Sequence, residues 1–165
     1  MVTMQRRPPE WTDTAPVKMS ATREMAASAQ EVWDAICDHD QWTEWFPRLE
    51  ACRPTGGTGI GSTRTVQVGG KEVHEEFIVW DEPTAWGFTV VEADGPLGRI
   101  TNSLNERISI DAVSNDRARV TYLMAWDPKT WSAPILKLAN RPVSKILDQA
   151  LTGLEQHVRT QRDHS

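Results

Sequence analysis

The chain of 165 residues contains only two cysteines, and it has no long apolar run. Cys37 and Cys52 lie outside any Cys-x-x-Cys motif and have no histidine pair nearby, so we interpret both as buried, reduced thiols. No run approaches the roughly 18 apolar residues of a membrane span. The first 16 residues also lack the apolar region of a signal peptide. These absences favour a cytoplasmic protein without an integral membrane segment.

The sequence also lacks clusters of basic residues and of metal ligands. Its net charge is -5 at pH 7, whereas nucleic acids and anionic membranes attract Lys and Arg, so we expect neither as the main partner. No His-x-x-x-His spacing or histidine-carboxylate cluster indicates a metal. The glycines between residues 56 and 61 lack the sequence of a phosphate-binding loop. We therefore predict no metal and no cofactor.

The organisation along the chain is that of one domain with short extensions. Residues 1–16 are polar and punctuated by prolines, which is typical of a flexible arm. Residues 17–160 have the length and the patterning of a single domain with its own core. Residues 161–165 are interpreted as a tail, and a homodimer is left open.

Helical signals concentrate in the segment Ala29–Pro47. Ser28 is a suitable N-cap, and Glu31 three residues later completes a capping box. Apolar residues follow at helical spacing, and a Trp-x-x-Trp sequence then leads to Pro47. The segment predicts a helix and a short, tryptophan-rich second helix.

The rest of the chain reads as strands followed by one long helix. Alternating runs separated by turn residues such as Gly69–Gly70 predict seven antiparallel strands, with bounds Val17–Ala27, Leu49–Pro54, Ser62–Val68, Glu72–Trp80, Ala85–Glu92, Asn102–Val113 and Arg117–Trp126. From Ser132 onward an apolar stripe ends at Val158 and predicts a helix. Pro142 should kink this helix or make it restart with Asn140 as its cap.

Three segments carry a family resemblance: Ala29–Pro47, the glycine-led Gly59–Val66, and Gly69–Pro83, which ends in Trp-Asp-Glu-Pro. They resemble the START-related (SRPBCC) superfamily, which includes plant Bet v 1 and the polyketide cyclase/dehydrase-like proteins. The resemblance implies an α+β helix-grip fold, in which a curved seven-stranded antiparallel sheet surrounds a long C-terminal helix and leaves a cavity. The matching residues are turn and core positions, so they transfer no catalytic residue.

Two carboxylates interrupt apolar strand faces. Glu75 alternates with Val73 and Phe77, and Glu106 alternates with Leu104 and Ile108. If these faces line the cavity, the pKa of each carboxyl should be raised, and the group is suited to acid-base chemistry or to hydrogen bonding a ligand. The alternatives are structural pairs with Arg64, Arg107 or Arg119, or a solvent-exposed face. Together with the glutamates, Tyr122 and Arg107 complete the candidate catalytic set.

Large apolar residues supply the candidate ligand-binding surface. Eight tryptophans in this length are consistent with a pocket for a flat or extended apolar molecule. The predicted lining residues are Phe77, Trp86, Phe88, Leu104, Ile108, Met124, Trp126, Leu147 and Leu151, with Trp131 as a further candidate.

Three functions remain open at this stage. The favoured one is a carrier or sensor that binds a hydrophobic small molecule such as a lipid, polyketide or isoprenoid. The second is a polyketide cyclase/dehydrase-type enzyme that uses the carboxylate, tyrosine and arginine groups. The third is a co-chaperone-like interaction module. An apolar cavity favours the first, convergent titratable groups the second, and a filled interior with an exposed apolar patch the third.

Overall fold

The computed structural model describes residues 1–164, which form one antiparallel sheet packed around a long C-terminal helix. The sheet order is β2-β8-β7-β6-β5-β4-β3, and β1 pairs with β6 outside this sequence. The strands are β1 (Val2–Thr3), β2 (Val17–Met25), β3 (Leu49–Gly56), β4 (Thr63–Val68), β5 (Lys71–Asp81), β6 (Ala85–Ala93), β7 (Thr101–Ser114) and β8 (Arg117–Pro128). The helices are α1 (Trp11–Thr14), α2 (Ala29–Cys37), α3 (Trp42–Trp45), α4 (Leu97–Ile100), α5 (Ala133–Leu138) and α6 (Asn140–Asp163).

All seven strands expected from the alternating pattern are present, and β2 to β8 follow the predicted order along the chain. The β4–β5 hairpin turns at Gly69 and Gly70, whose φ angles of 56° and 67° are accessible to glycine at little cost. The α+β helix-grip fold is therefore confirmed. The short strand β1 was not expected, because two residues are too few to produce a detectable alternation.

The corner after β2 is built as the sequence predicts. Ser28 and Glu31 form the capping box of α2. A 3-10 turn over His39–Gln41 then leads into α3. The indole of Trp42 turns inward and donates a hydrogen bond of 2.7 Å from Nε1 to the carbonyl oxygen of Ile36. This bond ties α3 to the end of α2 and places its tryptophan over the sheet.

The C-terminal helix is interrupted near Pro142, as predicted, but the boundary differs in detail. α5 ends at Leu138, and α6 begins at Asn140, which is its first residue rather than its N-cap. Pro142 lies in the first turn of α6, where a missing N–H removes no helical hydrogen bond. The apolar stripe of α6 faces the sheet and is fully buried at Leu147 and Leu151.

The first 16 residues are not the flexible arm that their composition suggested. β1 pairs with the end of β6, the side chain of Met4 is buried, and Arg7 forms an ion pair of 2.8 Å with Asp127. The amide of Asn105 donates hydrogen bonds to the carbonyl oxygens of Arg7 and Pro8. Local contacts with the outer face of the sheet therefore order a segment whose composition is polar.

The predicted tail also needs correction. Helix α6 continues to Asp163, so residues 161–163 are helical and not an extension. Arg162 in this last turn binds the carboxylate of Glu31 at 2.7 Å, which joins the end of α6 to α2. Ser165, the last residue of the predicted tail, lies outside the described residues.

Candidate functional site

A cavity of about 430 Å³ lies between the concave face of the sheet, the α3 corner and α6. Most of its lining is aliphatic or aromatic. The described residues that line it are Trp42, Phe46, Pro47, Arg48, Leu49, Arg64, Val66, Val68, Lys71, Val73, Glu75, Phe88, Val90, Asp94, Pro96, Leu97, Ile100, Leu104, Glu106, Tyr122, Met124, Trp126, Val143, Ile146 and Leu147.

The cavity has an exposed end and a buried end. Arg48, Val68, Lys71 and Pro96 are exposed lining residues, and we call this end the mouth. Four polar residues, Arg64, Glu75, Glu106 and Tyr122, are buried lining residues, and we call them the polar cluster. A ligand that enters at the mouth therefore crosses apolar surface before it meets buried polar atoms.

The polar cluster follows from strand register. Arg64 on β4 and Glu75 on β5 are direct cross-strand partners. Because side chains alternate between the two faces of a strand, both point to the concave side. The guanidinium Nε of Arg64 donates a hydrogen bond of 2.5 Å to Oε2 of Glu75, and only 1% of the Arg64 side chain is exposed. The pair is a buried, charge-assisted contact.

Aromatic rings enclose the arginine. The guanidinium carbon of Arg64 lies 3.9 Å from the ring centre of Trp42, 4.8 Å from that of Trp86 and 5.1 Å from that of Phe88. Such contacts stabilise a cation through the negative face of the ring. Burial alone would lower the pKa of Arg64, but the charge of Glu75 raises it above its usual value. Arg64 therefore stays protonated.

A histidine in the 3-10 turn contacts the same guanidinium. Nδ1 of His39 lies 3.3 Å from Nη1 of Arg64, and its ring stacks on Phe77 at 5.1 Å. Burial, followed by the charge of Arg64, lowers the pKa of His39 to about 4. The imidazole is therefore neutral at pH 7, so its Nδ1 accepts a hydrogen bond from Arg64 and helps to orient it.

Glu106 and Tyr122 form the second half of the cluster, on β7 and β8. The hydroxyl of Tyr122 donates a hydrogen bond of 2.5 Å to Oε2 of Glu106. Burial, and after it the charge of Glu75, raises the pKa of Glu106 to about 8. Burial and the neighbouring Glu106 also raise the pKa of Tyr122 well above its usual value. At pH 7 both groups therefore carry their protons.

The charges of the cluster balance at neutral pH. Burial raises the pKa of Glu75, and the guanidinium of Arg64 opposes this rise. Because an arginine stays protonated, the carboxylate in direct contact with it balances its charge. A second ionised carboxyl would have no cation of its own among the buried lining residues, and this explains why Glu106 retains its proton.

The sequence-predicted site residues fall into two groups. Glu75, Glu106 and Tyr122 line the cavity together with Phe88, Leu104, Met124, Trp126 and Leu147. Four others are buried in the packed core outside the cavity lining, namely Phe77, Trp86, Ile108 and Leu151. They were wrongly expected at the cavity because a shared strand face does not determine which of its residues lie beside the empty volume.

Two further expectations are corrected. Arg107 follows Glu106 on β7 and therefore points to the outer face, where its guanidinium binds Asp13 at 2.6 Å. It does not reach the cavity. Trp131 is 61% exposed and lies outside the lining.

Sequence reasoning missed one member of the polar cluster, Arg64, and two residues beside it. Arg64 was considered only as a structural partner of a carboxylate, whereas it also lines the cavity. Trp42 and His39 were not among the candidate site residues. A signal was available for Arg64, since it alternates with Val66 and Val68 on the inward face of β4.

Neither a metal-binding cluster nor a membrane-spanning helix is present among the described residues. In that part of the chain, no group of three or more histidine, cysteine or acidic side chains is arranged to hold a metal ion. No helix within residues 1–164 is both long and apolar enough to cross a membrane.

Burial raises the pKa of Cys37 to about 12 and that of Cys52 to about 11, so neither thiol is activated.

Comparison with solved structures agrees with the architecture. A START superfamily protein from Mycobacterium smegmatis matches with a TM-score of 0.71 and 18% identity, over 87% of this chain and 98% of that one. Norcoclaurine synthase from Thalictrum flavum matches with a TM-score of 0.70 and 16% identity, over 97% of this chain and 96% of that one. The Zhui aromatase/cyclase of a Streptomyces species matches with a TM-score of 0.67 and 15% identity, over 86% of this chain and 95% of that one. At these identities the likeness shows the fold alone.

Sequence comparison is more specific about the family. An uncharacterized protein of Mycobacterium tuberculosis is 27% identical over 118 residues, which is 70% of this chain and 68% of the relative. The family model described as "Polyketide cyclase / dehydrase and lipid transport" matches residues 16–159, which include the whole sheet from β2 to β8 and most of α6. The chain therefore belongs to the polyketide cyclase/dehydrase and lipid transport family.

Proposed function

We propose that the protein is a carrier or sensor that binds a hydrophobic small molecule in the cavity beneath α6. The observation that carries this proposal is the volume of about 430 Å³, which has an apolar lining apart from the buried polar cluster, the residues of the mouth and Asp94. Pockets of this size and character are typical of small-molecule sites. The family description, which includes lipid transport, supports the same interpretation.

Displacement of an apolar fluorophore tests the proposal. The fluorophore should bind to the purified protein and should be released by long-chain alcohols or lipids. Val66→Phe places a larger side chain in the cavity, because Val66 lines it, and it should weaken fluorophore binding by about ten-fold or more.

Gln67→Phe is the matched control for this variant. Gln67 is the next residue on β4, it points to the opposite face, and it is absent from the lining. The control should bind the fluorophore as the unchanged protein does. Equal binding by both variants, or no binding by the unchanged protein, would contradict a cavity ligand.

A second function is favoured by one specific observation. Glu106 presents a protonated carboxyl at the buried end of the cavity, next to Tyr122 and the Arg64–Glu75 pair. A neutral acid in such a place is suited to donate a hydrogen bond to a ketone oxygen and so to polarise the carbonyl group. This supports a cyclase/dehydrase-type enzyme, in which Glu106 and Tyr122 act on a bound poly-β-ketone and the outward-facing Arg107 has no part.

Turnover separates the enzyme from the carrier. With a poly-β-ketone analogue as substrate, Glu106→Gln and Tyr122→Phe should each lower kcat by at least about a hundred-fold if the cluster performs general acid catalysis. An analogue that binds to the protein and is recovered unchanged favours the carrier. The interaction-module alternative is not proposed, because it requires a filled interior.

A further inference from the structure

The two ends of the cavity differ in charge as well as in exposure. Arg48 and Lys71 are the cations at the mouth, and both side chains are exposed. At the buried end Arg64 is the only cation among the described lining residues, and its charge is already balanced by Glu75 at 2.5 Å. Asp94 also lines the cavity, but its carboxylate is paired with the N-terminal ammonium at 3.0 Å. The mouth therefore has positive charge available to a ligand, whereas the buried end has none.

We propose that the buried end receives an uncharged oxygen group of the ligand, a hydroxyl or a carbonyl, and rejects a carboxylate. This inference rests on the proposed function, since it concerns the ligand of the same cavity. It commits the ligand to an apolar body whose leading end is polar and neutral. Either an alcohol or a ketone satisfies this requirement.

The rejection of a carboxylate follows from the charges of the cluster. An anion placed there would lie beside the carboxylate of Glu75 and the carboxyl group of Glu106, and the guanidinium of Arg64 is already paired with Glu75. It would lose its hydration without gaining a cation of its own, and burial of an unpaired charge is strongly unfavourable. A fatty acid is therefore expected to leave its carboxylate at the mouth.

The acceptance of a neutral oxygen follows from the available hydrogen-bonding groups. The hydroxyl of Tyr122 donates a hydrogen bond to Oε2 of Glu106. The protonated carboxyl of Glu106 can then donate its own hydrogen bond to a ligand oxygen at pH 7. A hydroxyl or carbonyl oxygen accepts this hydrogen bond without bringing charge into the buried end.

The test must fix which end of the ligand enters. Three probes of equal length meet this need, namely dodecanoate, 12-hydroxydodecanoate and dodecanedioate. Each has one carboxylate for the mouth, and they differ only in whether the leading end is a methyl, a hydroxyl or a second carboxylate. Their affinities are measured at pH 7 by displacement of the apolar fluorophore from the full chain.

The hydroxyl probe should bind at least about ten-fold more tightly than the dicarboxylate. Glu75→Gln combined with Glu106→Gln should remove or reverse this preference, because neither side chain can then balance the charge of Arg64, which becomes available to the second carboxylate. Glu76→Gln is the matched control: Glu76 is the next residue of β5, and it binds Arg6 at 3.1 Å outside the cavity. This control should keep the full preference.

The outcomes separate the two proposals. Fluorophore binding that neither these probes nor long-chain alcohols displace overturns both the carrier function and the inference. Displacement in which the dicarboxylate equals the hydroxyl probe overturns the inference and leaves the carrier function standing. The single variant Glu106→Gln, which keeps a neutral donor at this position, provides a second test if the double variant does not fold. It should retain the preference at pH 7, and loss of the preference in this variant would also count against the inference.

Discussion

Glu106 connects the chemistry of the cavity to the stability of the chain. Its pKa is raised from 4.5 to about 8, first by burial and then by the charge of Glu75. Between these two pH values the folded protein holds a proton that the unfolded chain has released. The contribution of Glu106 to stability is therefore fully present below pH 4.5 and is lost as the pH rises towards 8.

Glu106→Gln should remove this pH dependence. In the unchanged protein, each rise of one pH unit between the two pKa values of Glu106 lowers the free energy of unfolding by up to about 1.4 kcal/mol. Glutamine does not titrate, so the variant should lose much less stability between pH 5 and pH 8. Denaturant unfolding of both proteins at these two pH values measures the difference. Parallel curves would mean that Glu106 is ionised in the folded state.

Individual residues show which parts of the site could be predicted from sequence. Glu75 and Glu106 were identified because a charged residue on an apolar strand face is conspicuous, and Tyr122 because it alternates with apolar neighbours. Arg64 was judged only as a partner, since sequence does not reveal that the ring of Trp42 lies 3.9 Å from its guanidinium carbon. That contact joins β4 to α3, so it depends on tertiary packing that no local pattern contains.

Helix α6 comes very close to the backbone of the α3 corner at Gly153. A Cβ atom added to Gly153 would overlap the carbonyl oxygen of Trp45. This close approach brings the α3 corner, including Trp42 and Phe46, over the open side of the sheet. A mid-helical glycine that is unfavourable by propensity therefore allows the cavity to be covered.

Gly153→Ala should destabilise the protein in spite of its better helix propensity. Alanine is about 1 kcal/mol more favourable than glycine inside a helix. Overpacking that shifts the backbone typically costs about 1–3 kcal/mol, and the atom that must shift here is a backbone carbonyl oxygen. We expect a net loss in the free energy of unfolding, measured by denaturant titration. Thr152→Ala, one residue earlier and partly exposed, is the control and should be neutral or stabilising. A stabilised Gly153→Ala protein would show that α3 moves freely away from α6.

Elements with strong local signals were the ones that sequence predicted well. The capping box at Ser28, the glycine turn at residues 69–70 and the period-two alternation of the strands are each complete within a few residues. Strand β1 and helix α1 have two and four residues, and their order comes from contacts with distant strands. Patterns of local sequence do not record such contacts, so the segment was interpreted as flexible.

At the scale of the whole molecule, the N-terminal segment completes the sheet. β7 pairs with β6 only over Ala85–Thr89, and β1 continues on that side by pairing with Glu92 and Ala93. The same segment covers the outer face at Asn105, which is fully buried beneath it. The cavity lies on the opposite, concave face. The N-terminal segment therefore contributes to stability on the face of the sheet opposite the ligand cavity.

Deletion of residues 1–15 should separate these two properties. The shortened chain exposes Asn105 and loses the buried side chain of Met4 and the ion pair between Arg7 and Asp127. Burial of a methionine alone contributes about 1.5–3 kcal/mol. The free energy of unfolding of the shortened chain should therefore be at least about 2 kcal/mol lower than that of the full chain. Fluorophore binding below the unfolding transition should persist, because none of the deleted residues lines the cavity. A shortened chain as stable as the full one would restore the interpretation of this segment as a dispensable arm. Loss of binding in a chain that remains folded would instead show that the outer face controls the shape of the cavity.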